Sequence, residues 1–107
     1  MISDDEAERA VDFLRDSAEK AARARSERNF ADLWRDALRA LLMQECNAKA
    51  VNAKKMYAEA HQRYHDHLLV IKEAVFQDEL MKAEREGNKT TIEAWQTQSA
   101  NLRGARV

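Results

Sequence analysis

No proline interrupts this chain of 107 residues, and it contains only two glycines, Gly87 and Gly104. Both residue types end or weaken helices, so their scarcity leaves nearly the whole chain free to be helical. Ala, Glu, Lys, Leu and Arg make up a little over half of the residues, a share typical of coiled coils and long helices. Val, Ile and Thr never form an alternating run. The sequence therefore predicts an all-α fold.

The first helix is expected to span about residues 4–45. Ser3 and Glu6 have the spacing of a capping box, which marks a helix start. Small and large apolar residues then recur at alternating spacings of four and three up to residue 21, as in a heptad seam. The apolar stripe lapses over residues 23–29 and resumes, rotated around the helix, at Phe30. Either the two halves make different contacts, or the helix is kinked near Ser26.

The second long helix is expected over about residues 61–102, after a short or irregular helical connection over 46–60. Its seam consists of Tyr64, Leu68, Ile71 and Val75. Gly87-Asn88 is a candidate end or bend of this helix, and the last residues are expected to fray. Residues 1–107 thus predict a single all-helical domain, a long helical hairpin. Whether the middle divides the chain into two long helices or three is left open.

Each long helix of such a hairpin buries only one stripe, and chains this small gain little from a single core. Pairing two hairpins into a helical bundle would bury the second stripe, so we expect a homo-oligomer, with a dimer favoured. Trp95 lies in a polar stretch and is therefore the candidate anchor of the interface. The predicted interface residues are Leu14, Phe30, Trp34, Leu41, Leu68, Val75 and Trp95.

Nucleic-acid binding is the alternative function. Arg28, Arg35 and Arg39 share one face of a helix and can track a phosphate backbone. However, the chain has no basic excess, with 18 Lys and Arg against 19 Asp and Glu. Asp32 and Asp36 also lie three or four residues from these arginines, the spacing of helical ion pairs. A solvated, locally neutralised face is the preferred interpretation of the three arginines.

Enzymatic chemistry has little basis in this sequence. His61 and His65 have the i, i+4 spacing that can share a metal, but no third ligand follows at a matching spacing, so no metal site is predicted. There is no glycine-rich phosphate loop, nucleophile elbow or cysteine–histidine pairing, so no catalytic residue and no cofactor are predicted. The lone Cys46 and the acidic N-terminus, without a long apolar run, favour a cytoplasmic protein without a membrane span.

Three runs of sequence carry a family resemblance. They are Asp4 to Asp16 (DDEAERAVDFLRD), Tyr57 to His61 (YAEAH) and Ile92 to Gln96 (IEAWQ). Together they resemble a family of small, all-helical proteins encoded by phages and prophages, with no assigned activity. The resemblance implies a phage origin and a neighbourhood of replication or recombination genes, and it supplies no catalytic residues. Gln62 stands where that family often has proline, which argues against a sharp break there.

The functional expectation is a non-enzymatic, phage-derived accessory or scaffold protein. It would act through self-association and contacts with another phage or host protein. A nucleic-acid-binding accessory protein in phage recombination or replication is the alternative, with Arg28, Arg35 and Arg39 as its contact residues.

Overall fold

The computed structural model describes residues 1–105 of the chain, which form four helices and no strand. The all-α fold class is confirmed. The helices are α1 (Asp4–Asp16), α2 (Ala18–Glu45), α3 (Val51–Ala60) and α4 (Gln62–Ala105). Within residues 1–105, no helix is both long enough and apolar enough to cross a membrane.

The chain divides into two compact units, and the single domain stays a prediction. Unit 1 joins residues 1–22 to the segment that begins at Glu79, and unit 2 comprises residues 23–78. In both units a helix from the first half of the chain packs antiparallel to part of α4. This antiparallel pairing is the hairpin that the heptad seams predicted.

The first long helix is divided at Ser17, and not near Ser26. Ser3 caps α1 as predicted, with its Oγ accepting a hydrogen bond from the Glu6 amide at 3.1 Å. Ser17 has φ −92° and ψ −1°, and its amide donates to the Phe13 carbonyl at 2.9 Å. Helix α2 then runs without interruption through Ser26, so the rotated stripe reflects different contacts along the chain and no kink at that position.

Unit 1 has a core of small side chains. Ala7 and Ala10 are its buried residues on α1, Ser17 is buried at the helix break, and Met81 is the large buried side chain from α4. Because alanine buries little apolar area, polar contacts along the helix pair must supply part of the stability of this unit.

Unit 2 has an apolar core formed around the end of α2. Leu38, Leu42, Ala58 and Tyr64 pack together, and Met43 packs against them. Leu42 is completely buried. The core therefore forms where α2, α3 and the start of α4 meet.

The connection consists of a non-helical segment, residues 46–50, followed by α3. His61 separates α3 from α4 with an extended backbone, at φ −70° and ψ 141°. Its Nδ1 accepts a hydrogen bond from the Arg63 amide at 3.0 Å, which caps α4. The chain therefore breaks sharply at this junction although Gln62 stands in place of proline.

Helix α4 continues through Gly87 and Asn88, which the sequence indicated as a candidate end or bend of this helix. Polar side chains around this point bond to carbonyls one turn earlier. Asn88 donates to Glu84 at 2.8 Å, and Thr90 donates to Glu86 at 3.0 Å. The helix reaches Ala105, three residues beyond the expected end, and the rest of the tail lies outside the described residues.

Candidate functional site

Two aromatic side chains form a stacked pair on the outside of α2. Phe30 and Trp34 are four residues apart, a spacing that places side chains one above the other on a helix. Their ring centroids lie 6.5 Å apart with an interplanar angle of 8°. Both residues remain exposed, so this pair is an ordered apolar ridge that unit 2 leaves uncovered.

The ridge belongs to a longer row, which we call the aromatic stripe, formed by Phe30, Trp34, Ala37 and Leu41. These residues are spaced by four, three and four, as in a heptad seam. All four are exposed. The buried residues of α2 are Ala31, Leu38 and Leu42, each of which directly follows a residue of the stripe. Since successive helical residues differ by about 100°, α2 carries two apolar rows and unit 2 covers only one.

A groove lies beside the stripe, between α2 and α4. We call it the aromatic groove, and its lining residues are Ser26, Glu27, Phe30, Ala31, His67, Val70 and Ala74. The Nε2 of His67 donates a hydrogen bond to the Ala31 carbonyl at 2.7 Å, which links the two helices at this level. Val70 is exposed on the α4 wall. The groove therefore extends the apolar surface of the stripe onto a second helix.

The exposed apolar surface around the stripe is comparable in area to the largest apolar patch of a typical monomer. Its main contributors are Phe30 (66%), Leu33 (71%), Trp34 (39%), Leu41 (44%) and Val70 (54%), given with their exposed fractions. Together they present on the order of 500 Å² per copy, since a fully exposed aromatic side chain presents about 150–250 Å². The largest apolar patch of a typical monomer covers about 300–600 Å² and often serves binding.

The predicted arginine row lies on the other side of the buried seam of α2, and carboxylates neutralise it. Arg28 Nη1 lies 3.1 Å from the Oδ2 of Asp78, whose side chain is 4% exposed. Arg35 Nη2 lies 3.1 Å from the Oδ1 of Asp32. Each of these guanidinium groups thus already has a carboxylate in salt-bridge distance.

Arg39 is held by three partners. Its Nη2 donates to the Tyr64 hydroxyl at 3.3 Å and lies 3.7 Å from Asp36, while its Nε lies 3.6 Å from Glu59. The hydrogen bond to Tyr64 raises the pKa of Arg39 above its usual value. The ring of Tyr64 also lies under the guanidinium, 5.9 Å from centroid to Cζ. Arg39 therefore joins α2 to the junction of α3 and α4.

Two of the predicted interface residues, Leu14 and Trp95, lie in unit 1 and have polar contacts there. Trp95 Nε1 donates to the Oδ1 of Asp4 at 2.8 Å. The carbonyl of Leu14 accepts a hydrogen bond from Arg85 at 2.7 Å. Both side chains are half-buried. Trp95, which the sequence left without a partner in a monomer, thus has one, and its role at an interface stays a prediction.

The other two predicted residues, Leu68 and Val75, lie on α4 in unit 2. Leu68 is exposed and Val75 is half-buried. They lie seven residues apart on one face, which is separated from Val70 by more than a quarter turn. Leu69 and Phe76 are also exposed, on a face of the helix between that of Leu68 and that of Val70. We call these last two residues the outer face of α4, a second and smaller apolar surface.

Sequence reasoning missed Val70 and Arg85. Val70 lies in a run of four apolar residues, Leu68 to Ile71, and such a run must turn apolar side chains to more than one face of a helix. That run was a usable signal. Arg85 gave no signal, because its partners are 71 and 68 residues away in sequence.

Two of the three histidines have structural partners. His61 caps α4, and its Nε2 lies 4.0 Å from Glu45, while His67 bonds to Ala31. Among residues 1–105, no three His, Cys, Asp or Glu side chains are grouped so that they could hold a metal ion. Cys46 is a free, half-buried thiol in the connection.

Comparisons of the chain with protein-family models, with curated proteins and with solved structures found no match.

Proposed function

We propose that this protein is a non-enzymatic accessory or scaffold protein that acts through self-association, as a dimer in the simplest case. The supporting observation is the aromatic stripe, a heptad-spaced apolar row that unit 2 leaves exposed beside the aromatic groove. A phage origin and a further phage or host partner belong to the same proposal, and they rest only on the resemblance of the three sequence runs.

The physical basis is the cost of leaving the stripe in water. Each Å² of apolar surface removed from water stabilises the buried state by about 25 cal/mol. A patch on the order of 500 Å² therefore corresponds to roughly 10 kcal/mol per copy before the entropic cost of association. The stacking of Phe30 on Trp34 also orders these side chains in advance, which reduces that cost.

Binding to nucleic acid receives less support from the contacts of the arginine row. Binding a phosphate requires a guanidinium to give up or share its carboxylate. Arg28, Arg35 and Arg39 all have carboxylates within 4.0 Å. The gain from a phosphate contact would be offset by the loss of those ion pairs, so we do not propose this function.

The deciding experiment is light scattering on a sizing column at low salt, over a hundredfold range of protein concentration. The same protein is then run with a short single-stranded oligonucleotide. We expect a defined oligomer whose mass is unchanged by the oligonucleotide. A monomer at every concentration would refute self-association. Co-elution of the oligonucleotide, reversed by salt, would instead establish the nucleic-acid alternative and direct mutagenesis to the arginine row.

A further inference from the structure

We propose that the aromatic stripe pairs with the same stripe of a second copy, with the two α2 helices antiparallel and a two-fold axis between Arg35 and Asp36. This inference rests on the self-association proposed above and adds its surface, direction and register. In this register, the numbers of two residues that face each other across the interface add up to 71. Phe30 of one copy then faces Leu41 of the other, and Trp34 faces Ala37.

The sizes of the stripe residues favour this direction. Antiparallel pairing places the largest side chain, Trp34, opposite the smallest, Ala37, so each layer of the interface has a similar volume. Parallel pairing in register would place Trp34 against Trp34 and Ala37 against Ala37. One layer would be overfilled and the next would contain a void, and both defects cost stability.

The polar residues that continue the stripe favour the same direction. Glu27 precedes Phe30 by three residues, and Gln44 follows Leu41 by three. Both are exposed. In the antiparallel register the carboxylate of Glu27 faces the amide of Gln44, which can donate a hydrogen bond to it. Parallel pairing would instead bring two Glu27 carboxylates together, and like charges at facing positions destabilise a helix pair.

The aromatic groove is in the correct place to receive the second copy. It lies at the level of Phe30, where the antiparallel register brings Leu41 of the other molecule. Leu41 would then cover the part of Val70 that unit 2 leaves exposed. With about 500 Å² from each copy, the interface would bury on the order of 1,000 Å², the lower bound for a specific association.

The outer face of α4, Leu69 and Phe76, is the competing surface for a second copy. It differs from the aromatic stripe in three respects. Neither residue lines any of the three grooves that Val70 borders on the surface of unit 2. It has no stacked aromatic pair within residues 1–105. Its neighbours Lys72 and Glu73 are charged and exposed.

Pulsed electron-resonance distances between nitroxide labels test the pairing. In a Cys46→Ser background, single labels are placed at Ser26→Cys and Leu33→Cys, which lie seven residues apart beside the stripe and are exposed. A third label, at Leu69→Cys, reports on the outer face of α4. At 1.5 Å per residue, the antiparallel register separates the two Ser26 positions by about 28 Å along the helix, and the two Leu33 positions by only about 8 Å.

We expect a long distance for the Ser26 label and a short one for the Leu33 label, differing by about 20 Å. Equal short distances at both positions would mean parallel pairing and would overturn the inference while leaving self-association intact. A short distance at Leu69 with a long one at Leu33 would move the interface to the outer face of α4, with the same consequence. The absence of any intermolecular distance, together with a monomeric mass, would refute the proposed function itself.

Discussion

The two units of this protein are stabilised by different kinds of contact. Unit 1 buries mainly Ala7, Ala10 and Ser17, and specific hydrogen bonds between side chains and backbone join its helices. Unit 2 buries leucines and a tyrosine, and it also carries most of the exposed large apolar side chains of residues 1–105. The buried alanines of unit 1 contribute little apolar area. In unit 2, helix α2 has two apolar rows, and only one of them is covered. Polar contacts within the chain therefore join the helices of unit 1, whereas unit 2 leaves one apolar row of α2 exposed.

Phe30→Asp should have the largest effect, because it places a charge on the surface that unit 2 leaves exposed. In a two-fold dimer the substitution occurs twice, and each site should cost about 2 kcal/mol, the value typical of an interface hot spot. The dimer dissociation constant should therefore rise about a thousandfold. Light scattering over a concentration series measures this change.

Leu69→Asp is the matched control for Phe30→Asp, since Leu69 is also exposed but lies on the outer face of α4. It should leave the dimer mass unchanged. Circular dichroism of both variants should remain that of the unsubstituted protein. If Leu69→Asp dissociates the dimer and Phe30→Asp does not, the aromatic stripe is not the interface.

Leu42→Ala should cause the next largest effect, and it acts on the core of unit 2. Leu42 is fully buried against Leu38, Ala58 and Tyr64. Truncating a buried leucine costs about 2–5 kcal/mol, so the free energy of unfolding should fall by about 3 kcal/mol. Urea unfolding followed by circular dichroism gives the value. Leu33→Ala, on an exposed leucine of the same helix, should cost less than about 1 kcal/mol in the isolated monomer.

The fold class followed from the sequence because its cause is local. The scarcity of breakers and the Ser3 cap act within a few residues, and both are present in the structure. The break at Ser17 could not be predicted in this way. Serine is tolerated inside helices, and the interruption coincides with Arg85, which donates to Ser17 Oγ at 2.7 Å from 68 residues further along the chain. A contact at that separation leaves no periodic pattern.

The candidate site was predictable in part for the same reason. Phe30, Trp34 and Leu41 belong to the apolar stripe that the sequence predicts from Phe30 onward, together with Leu33, Ala37 and Leu38. The sequence did not distinguish the covered row of α2 from the exposed one, since Leu38 and Leu41 are equally apolar. That distinction depends on where α3 and α4 pack. The pairing of Arg28 with Asp78, 50 residues away, depends on the same packing.

Arg85→Leu tests how much the polar contacts of unit 1 contribute to stability. Nη1 of Arg85 donates to the Leu14 carbonyl and to Ser17 Oγ, both at 2.7 Å. Loss of the guanidinium leaves these acceptors at the helix break without that donor. Hydrogen bonds from a charged group contribute about 1.5–3 kcal/mol, so we expect a loss of about 2 kcal/mol in the free energy of unfolding. Thermal and urea unfolding measure this loss.

Lys89→Met is the control for Arg85→Leu, because Lys89 is an exposed cation one turn further along α4. It should change the free energy of unfolding by less than about 0.5 kcal/mol. Equal effects of the two substitutions would mean that the charge of this helix segment matters, and not the bonds to Leu14 and Ser17. In that case the break at Ser17 would not depend on Arg85.

Gln98→Ala should have the smallest effect, and it tests whether unit 1 is held together up to its end. The Gln98 amide donates to the Ile2 carbonyl at 2.8 Å, and its Oε1 accepts from the Ile2 amide at 3.0 Å. Both bonds are only partly buried and water can replace them, so the loss should be about 1 kcal/mol. Amide exchange at Ile2 should accelerate about fivefold, while Gln96→Ala, on an exposed neighbour, should leave it unchanged. If exchange at Ile2 is already fast in the unsubstituted protein, the N-terminus is not held by Gln98, and the polar contacts of unit 1 end with Trp95 and Asp4.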